Sequence, residues 1–228
     1  MLRVLKEWQT NETLVLLGDY IDRGKNSYQV LCLLSRLDEL YPYETVFLRG
    51  NHDQMYIDNI NRLNGSEIDF WCKSNGGKNT IKSFPISNKN QSLYYKLKSV
   101  KREFDFAEDF LNKTKFYYES ESHIFAHAGV VPTKNWKEDS DEDVYLWIRE
   151  EFHHANNHTG KQVVFGHTQT CTIDMNKFTE DTKDLSKRAL KVYLKANATV
   201  YEDKERKYLG IDTGCSGGGV LTGVRLSE

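Results

Sequence analysis

Short apolar runs that end in polar loops predict the first strands of this chain. TLVLLGD at 13–19 and TVFLRGNHD at 45–53 each combine an apolar run with a polar end. Between them, residues 27–40 place apolar side chains at helical spacing, namely Val30, Leu33, Leu34, Leu37 and Leu40. A strand, loop, helix, strand order is typical of a βαβ unit, so this part of the chain predicts a parallel sheet.

The rest of the pattern divides into a helical region and a second group of strands. Residues 54–118 are polar and aromatic and predict a mostly helical insertion or cap, interrupted at the NGGK of 75–78. SHIFAHA at 122–128 and KQVVFGHT at 161–168 are strands that carry a histidine at their end. From about residue 189 we predict successive strands, which indicate an antiparallel or mixed second sheet. Residues 1–9 have the spacing of a helix end.

Composition places the chain among ordinary globular proteins and excludes several classes of function. It has 228 residues, 39% hydrophobic and 28% charged, with a net charge of -2. Without a basic excess we expect no nucleic-acid partner, and without a run of about 18 apolar residues we expect no membrane span. No CxxC pair occurs, and scattered cysteines indicate a reducing, cytoplasmic location. The four are Cys32, Cys72, Cys171 and Cys215.

Potential metal ligands follow four of the apolar runs. In open α/β sheets, ligand sites form at the carboxyl ends of the strands, so these residues can meet although they are distant in sequence. A mixture of carboxylate, amide and imidazole suits Mn, Fe or Zn. The residues are Asp19, Asn51 with His52, His127 and His167. The acidic stretch at 137–145 lacks an EF-hand pattern and predicts a surface loop instead.

Several motifs resemble the phosphoprotein phosphatase family of metallophosphoesterases, which includes bacterial and phage serine/threonine phosphatases and diadenosine tetraphosphate hydrolases. They are GDYIDRG at 18–24, GNHD at 50–53, HAG at 127–129, WIR at 147–149, GHT at 166–168 and IDTGC at 211–215. The resemblance implies a calcineurin-like α/β fold with two mixed β-sheets in a sandwich flanked by helices. It also implies a single domain over 1–228, with the helical insertion at about 54–118.

The same resemblance implies a role for each motif residue. Asp19 is similar to the carboxylate that bridges two divalent metal ions (Mn, Fe or Zn), and Asn51, His127 and His167 match the other ligands of the second ion. His52 resembles the general acid that protonates the leaving oxygen, and Asp22 resembles the residue that orients it. Arg23 and Arg149 resemble phosphate-binding arginines. Asp53 is interpreted as a helix cap outside the site.

One family motif is missing from the sequence. The family's Gly-Asp-x-His-Gly motif precedes GDYIDRG, but here 17 residues precede Gly18 and none of them is histidine. The expectation is therefore that the second metal site alone is complete and that the first strand is missing. We interpret Met1 as an internal methionine of a longer natural chain.

These features predict hydrolysis of phosphate monoesters with hydroxide supplied at the metals. A phosphoserine/phosphothreonine protein phosphatase is the first hypothesis, with a phosphoprotein as partner. A dinucleoside polyphosphate hydrolase is the alternative, and a non-catalytic phosphate- or partner-binding module is a third. Five aromatic residues in 54–118 could stack on a base, although core positions are the simpler interpretation; they are Tyr56, Phe70, Trp71, Tyr94 and Tyr95.

Overall fold

The computed structural model describes residues 12–40, 44–87, 90–197 and 199–227. These residues belong to two compact units, an N-terminal unit, Thr10–Lys115, and a C-terminal unit that begins at Phe116. The helix end predicted at residues 1–9 lies outside the described residues. Organisation as a single domain stays a prediction.

A parallel strand pair organises the N-terminal unit. Strand β1 (Leu14–Leu16) pairs with β2 (Thr45–Phe47), and Leu14 lies opposite Thr45. Helices α1 (Ser27–Leu34) and α2 (Leu37–Leu40) form the crossover. Parallel strands require such a crossover, so the βαβ prediction is confirmed.

Helices fill the rest of the N-terminal unit as far as it is described. Helix α3 buries Tyr56, Ile57 and Ile60, which its 3.6-residue period brings to one face. At the predicted break a π-helix ends and Gly76 adopts φ 91°. The assignment of 54–118 as an insertion or cap stays a prediction. The elements are α3 (Asn51–Arg62), α4 (Gly65–Phe70), the π-helix (Trp71–Asn75), α5 (Gly77–Ser83), α6 (Leu93–Glu103) and α7 (Asp105–Asn112).

A five-stranded mixed sheet organises the C-terminal unit. Its strand order is β3-β4-β5-β7-β6, in which β4, β5 and β7 are parallel and the two outer pairs are antiparallel. Ile124, Val163, Phe165 and Tyr208 from these strands form its core together with Phe152. The strands are β3 (Tyr117–Glu119), β4 (His123–Ala126), β5 (Gln162–Phe165), β6 (Tyr201–Asp203) and β7 (Tyr208–Gly210).

The helices of the C-terminal unit correct two predictions. The expected loop at 137–145 instead contains parts of two short helices. Asp141 caps the second helix by accepting a hydrogen bond from the Val144 amide. The strand expected from residue 189 is part of a helix whose first turn is capped by Ser186. The helices are α8 (Trp136–Asp139), α9 (Glu142–Trp147), α10 (Glu150–His153), α11 (Met175–Thr182) and α12 (Lys187–Ala196).

The predicted fold class, an α/β protein with two sheets flanked by helices, is confirmed. One detail is wrong, since the described strands of the first sheet pair in parallel and do not form a mixed sheet. None of the helices in the described residues is long and apolar enough to cross a membrane.

Candidate active site

Two loops that follow β1 and β2 lie against each other in the N-terminal unit. Gly18 adopts φ 94°, and a Cβ atom there would collide with the backbone of Gly50. A Cβ atom at Gly50 would in turn collide with Asp19. Both positions therefore need glycine.

Asp53 fastens these two loops together. Its carboxylate is fully buried and accepts hydrogen bonds from the amides of Asp19 (2.8 Å), Tyr20 (3.1 Å) and Gly50 (2.8 Å). The contact with Gly50 confirms the predicted helix cap, but the contacts with Asp19 and Tyr20 were missed. Burial and the charge of Asp19 raise the pKa of Asp53 to about 8, although the three amides act in the opposite direction.

Asp19 and Asn51 are brought together at the start of α3. The Asp19 carboxylate accepts a hydrogen bond from the amide of His52 at 3.1 Å. Asn51 is the first residue of the helix and is buried, whereas Asp19 is exposed. The helix start stabilises the ionised form of the Asp19 carboxylate. An exposed carboxylate beside an amide side chain can serve as a ligand of a metal cation.

His52 and Asp22 form a buried hydrogen-bonded pair. Nδ1 of His52 lies 2.7 Å from Oδ2 of Asp22, and both side chains are almost entirely buried. Burial lowers the pKa of His52, but the hydrogen bond to Asp22 and the charges of Asp19 and Asp22 raise it, with a net rise. The predicted contact is therefore present in the structure, and it fixes Nδ1 as the protonated, donating nitrogen.

The helical region contributes two residues to the surroundings of Asp22. Trp71 Nε1 donates to Asp22 Oδ2 at 2.7 Å, and Thr80 Oγ1 donates to Oδ1 at 2.6 Å. The Asp22 amide donates to Thr80 Oγ1 at 2.8 Å. Sequence reasoning missed both residues, because no local pattern links Asp22 to partners 49 and 58 positions away. With these donors the carboxylate is held in one orientation toward His52.

Arg23 is held by its backbone, while its side chain is exposed. Its carbonyl accepts a hydrogen bond from Asn79 Nδ2 at 2.6 Å. Gly76 lies so close that a Cβ atom there would contact the Arg23 backbone. The loop thus presents an exposed guanidinium group, whose charge opposes the net rise in the pKa of His52.

Left-handed backbone conformations coincide with the predicted site. Non-glycine residues with positive φ include Asp19 (58°), Asp22 (69°), Arg23 (54°) and His167 (62°). Each such conformation costs on the order of 1–3 kcal/mol and is typical of functional sites. Four residues predicted from two motifs, GDYIDRG and GHT, thus have strained backbone conformations.

His127 and His167 are brought together in the C-terminal unit. They follow the neighbouring parallel strands β4 and β5, and the Gly166 amide donates to the His127 carbonyl at 2.8 Å. The two imidazole rings meet edge to face with their centres 5.1 Å apart. His127 is buried and His167 is partly exposed. The strand-end rule therefore placed both histidines correctly at one edge of the sheet.

Residues 147–149 lie along residues 167–168. Trp147 stands perpendicular to the ring of His167, with centres 5.7 Å apart. Arg149 Nη1 donates to Thr168 Oγ1 at 2.8 Å, and the arginine is exposed. This contact brings the predicted phosphate-binding arginine to the same sheet edge as the two histidines. Trp147 and Thr168 were not predicted as site residues.

The donor chemistry of each unit fits a divalent transition metal. Two imidazoles that bind one ion through nitrogens at about 2.1 Å have ring centres roughly 4.5–5.5 Å apart, and the 5.1 Å between His127 and His167 agrees with this. Asp19 and Asn51 offer oxygen donors in the other unit. Within the described residues of either unit, no group of three or more His, Cys, Asp and Glu side chains gathers as a metal site.

The aromatic residues predicted as possible base-stacking groups divide into two sets. Tyr56 and Trp71 are core residues, in edge-to-face contact at 6.1 Å between ring centres. Phe70 and Tyr95 are exposed, and Tyr94 is partly exposed. The interpretation of Tyr56 and Trp71 as core is therefore confirmed, and that interpretation is wrong for Phe70 and Tyr95.

Comparison with known proteins identifies a matching family and two solved structures of similar fold. The family model of the calcineurin-like phosphoesterases matches residues 1–186. One similar structure is a cold-active protein tyrosine phosphatase at 1.1 Å, with TM-score 0.54, 17% identity, and coverage of 90% of this chain and 60% of that one. Another is the cold-active protein-tyrosine phosphatase of a psychrophilic Shewanella species, with TM-score 0.52, 14% identity, and coverage of 92% and 63%. The chain thus spans less than two thirds of either structure, and the likeness concerns the fold.

Proposed function

The chain belongs to the calcineurin-like phosphoesterase family, and from that premise we propose that it is a metal-dependent hydrolase of phosphate monoesters. The observation that carries the proposal is the buried pair of His52 and Asp22, joined at 2.7 Å. A protonated imidazole held in this way is suited to donate a proton to a leaving oxygen. Despite burial, the hydrogen bond to Asp22 and the charges of Asp19 and Asp22 raise the pKa of His52, and a raised pKa favours the protonated form that this role needs.

The proton for the leaving group would come from Nε2 of His52. Nδ1 is committed to Asp22, whose two oxygens also accept hydrogen bonds from Trp71 and Thr80. After Nε2 loses its proton, the negative charge of Asp22 favours its return from water. Asp22 therefore serves as the orienting residue, and His52 serves as the general acid.

Arg23 and Arg149 are the proposed phosphate-binding residues. Both side chains are exposed, and each guanidinium group can donate two parallel hydrogen bonds to phosphate oxygens. Arg149 already donates to Thr168, which restricts the orientation of its side chain. Each arginine would offset part of the charge of a phosphate dianion.

Asp19, Asn51, His127 and His167 are the proposed metal ligands. Bound divalent ions would supply hydroxide at neutral pH and neutralise the charge of the phosphate. The family generally uses two such ions. The ring distance of the two histidines and the placement of Asp19 beside Asn51 support this assignment.

Phosphorylated protein side chains are the proposed substrate class, with phosphoserine and phosphothreonine first, on the strength of the sequence motifs. The two similar structures are named as tyrosine phosphatases, which makes phosphotyrosine a necessary part of any substrate panel. Diadenosine tetraphosphate belongs in the same panel.

Metal-dependent turnover of p-nitrophenyl phosphate tests the proposal. We expect hydrolysis with Mn²⁺, loss after chelation, and recovery when Mn²⁺ is added again. His127→Ala removes a proposed ligand and should lower kcat/KM by on the order of 100-fold. His158→Ala is the matched control, because the His158 side chain is exposed and its amide alone makes the contact with Pro132.

Two results would contradict the proposal. Turnover that persists after complete chelation would exclude metal-dependent chemistry. A folded chain that binds phosphate and Mn²⁺ but hydrolyses none of the panel would be a phosphate-binding module instead of an enzyme.

A further inference from the structure

An exposed tryptophan lies beside the proposed phosphate-binding residues of the C-terminal unit. Trp147 ends α9, and its side chain is 44% exposed, whereas the two residues before it, Tyr145 and Leu146, are buried. The helix thus directs its core residues inward and leaves nearly half of Trp147 exposed. Exposure of a large apolar ring loses the hydrophobic stabilisation that burial would give, so packing of the helix does not account for its position.

The neighbours of Trp147 connect it with the site. The indole stands perpendicular to the imidazole of His167, with ring centres 5.7 Å apart and an angle of 86° between the planes. Two residues later Arg149 donates to Thr168, the residue after His167. The segment 147–149 therefore contacts the proposed metal ligand His167 through Trp147, and it contains the proposed phosphate-binding Arg149.

We propose that Trp147 is a specificity-determining residue that selects phosphoesters whose organic group is a planar aromatic ring. This inference rests on the proposed function, hydrolysis of phosphate monoesters, and concerns the part of the ester beyond the phosphate. Within the substrate panel it ranks phosphotyrosine above phosphoserine, the reverse of the order that the sequence motifs favour. With the phosphate held at Arg149, the exposed indole offers the organic group an aromatic surface. An aryl group such as the phenol ring of phosphotyrosine can stack on it or meet it edge to face, whereas the methylene of phosphoserine gains little from it.

The chemical class of the ligand follows from the kind of surface. Indole binds aromatic rings and cations, but a phosphate monoester held at Arg149 brings no cation of its own. The face of an indole makes more contact with a flat ring than with a methylene group. Aromatic phosphate esters therefore match the surface better than branched or purely aliphatic esters.

Affinities of two non-hydrolysable phosphonates test this inference without relying on turnover. Phenylphosphonate and methylphosphonate share the anionic group and differ in the ring. By calorimetry with Mn²⁺ present, we expect the wild type to bind phenylphosphonate roughly three- to ten-fold more tightly than methylphosphonate. Trp147→Ala should bring this ratio close to one, and Trp147→Phe should keep most of it.

Two further variants complete the experiment. Trp147→Leu retains an apolar side chain but has no aromatic face, and it should also lose the preference for phenylphosphonate. This variant therefore separates an aromatic contact from a general hydrophobic effect. Tyr95→Ala removes an exposed aromatic ring from α6 and should leave the ratio unchanged.

Each remaining outcome is decisive. If both phosphonates bind equally to the wild type, or if Trp147→Ala keeps the preference, the role of Trp147 is wrong while the phosphatase proposal stands. If neither phosphonate nor inorganic phosphate binds to the folded protein, the proposed function fails together with the inference.

Discussion

At the scale of single residues, Asp53 shows how one side chain can both cap a helix and hold the loop that carries the proposed metal ligand Asp19. It caps α3 through the Gly50 amide and holds the loop of Asp19 through two more amides. A neutral, smaller side chain would leave three amide groups without their acceptor, which is costly above all for the buried amide of Gly50. The geometry of Asp19 thus depends on a residue that need not touch a metal or substrate itself.

His153 leads to a prediction on acid stability. It is buried against Phe165, and neither ring nitrogen has a hydrogen-bond partner among the described residues. Burial lowers the pKa of His153 to about 4. The nearby charges of Glu150 and Glu151 oppose this shift, and those of His154 and Arg149 act in the same direction as burial. An unfolded histidine titrates near 6.5, so folding favours the neutral ring.

The sign of the effect follows from this depressed pKa. The contribution of neutral His153 is fully present above about pH 6.5 and is lost as the pH falls toward 4, by up to about 3 kcal/mol. His153→Phe cannot titrate, and the free energy of unfolding measured in urea should therefore decrease less between pH 7 and pH 5 than in the wild type. The exposed His158→Gln is the control. An unchanged pH dependence in His153→Phe would contradict the prediction.

At the scale of elements, the turn between the π-helix and α5 supports the loop of the proposed phosphate-binding Arg23. Gly76 has φ 91°, and its Cα faces the Arg23 backbone closely enough to exclude a Cβ atom. Trp71 and Thr80, on either side of this turn, hold Asp22. These helices therefore position the loop of 18–24 in addition to completing the N-terminal unit.

Gly76→Ala tests this role of the turn. The added methyl group and the unfavourable φ should lower the free energy of unfolding by about 1–3 kcal/mol and displace Arg23, which should also lower kcat/KM. Gly65→Ala is the matched control, because a Cβ atom there meets open space. Equal stability and equal kcat/KM in the two variants would show that the turn does not support the loop.

The elements also show where sequence patterns mislead. Residues 187–196 contain valine and tyrosine, which favour strands, yet they form α12. Ser186 caps the first turn, and Leu190, Tyr193 and Leu194 share one partly buried face. The strands β6 and β7 lie a few residues further on. The predicted strands do occur in this part of the chain, but they begin only after α12, whose start is capped by Ser186.

At the scale of the whole molecule, the sequence predicted the strand-end residues well and their supporting contacts poorly. The histidines 127 and 167 could be placed because parallel strands end at one sheet edge. The pair of His52 and Asp22 was predictable from a motif. Trp71 and Thr80 were not, because their contacts with Asp22 depend on how helices pack across 49 and 58 residues. Local patterns identify reactive residues, whereas tertiary packing selects the residues that orient them.

The effect of His52→Ala on two substrates with different leaving groups tests the proposed chemistry most directly. A proton donor matters for the alkoxide of phosphoserine, which leaves poorly, and matters little for p-nitrophenolate, which is stable without a proton. With Mn²⁺ present, the variant should lose roughly 10²–10⁴-fold in kcat/KM on a phosphoserine peptide and far less on p-nitrophenyl phosphate. Equal losses on both substrates, or no loss on the peptide, would contradict the assignment of His52 as the general acid.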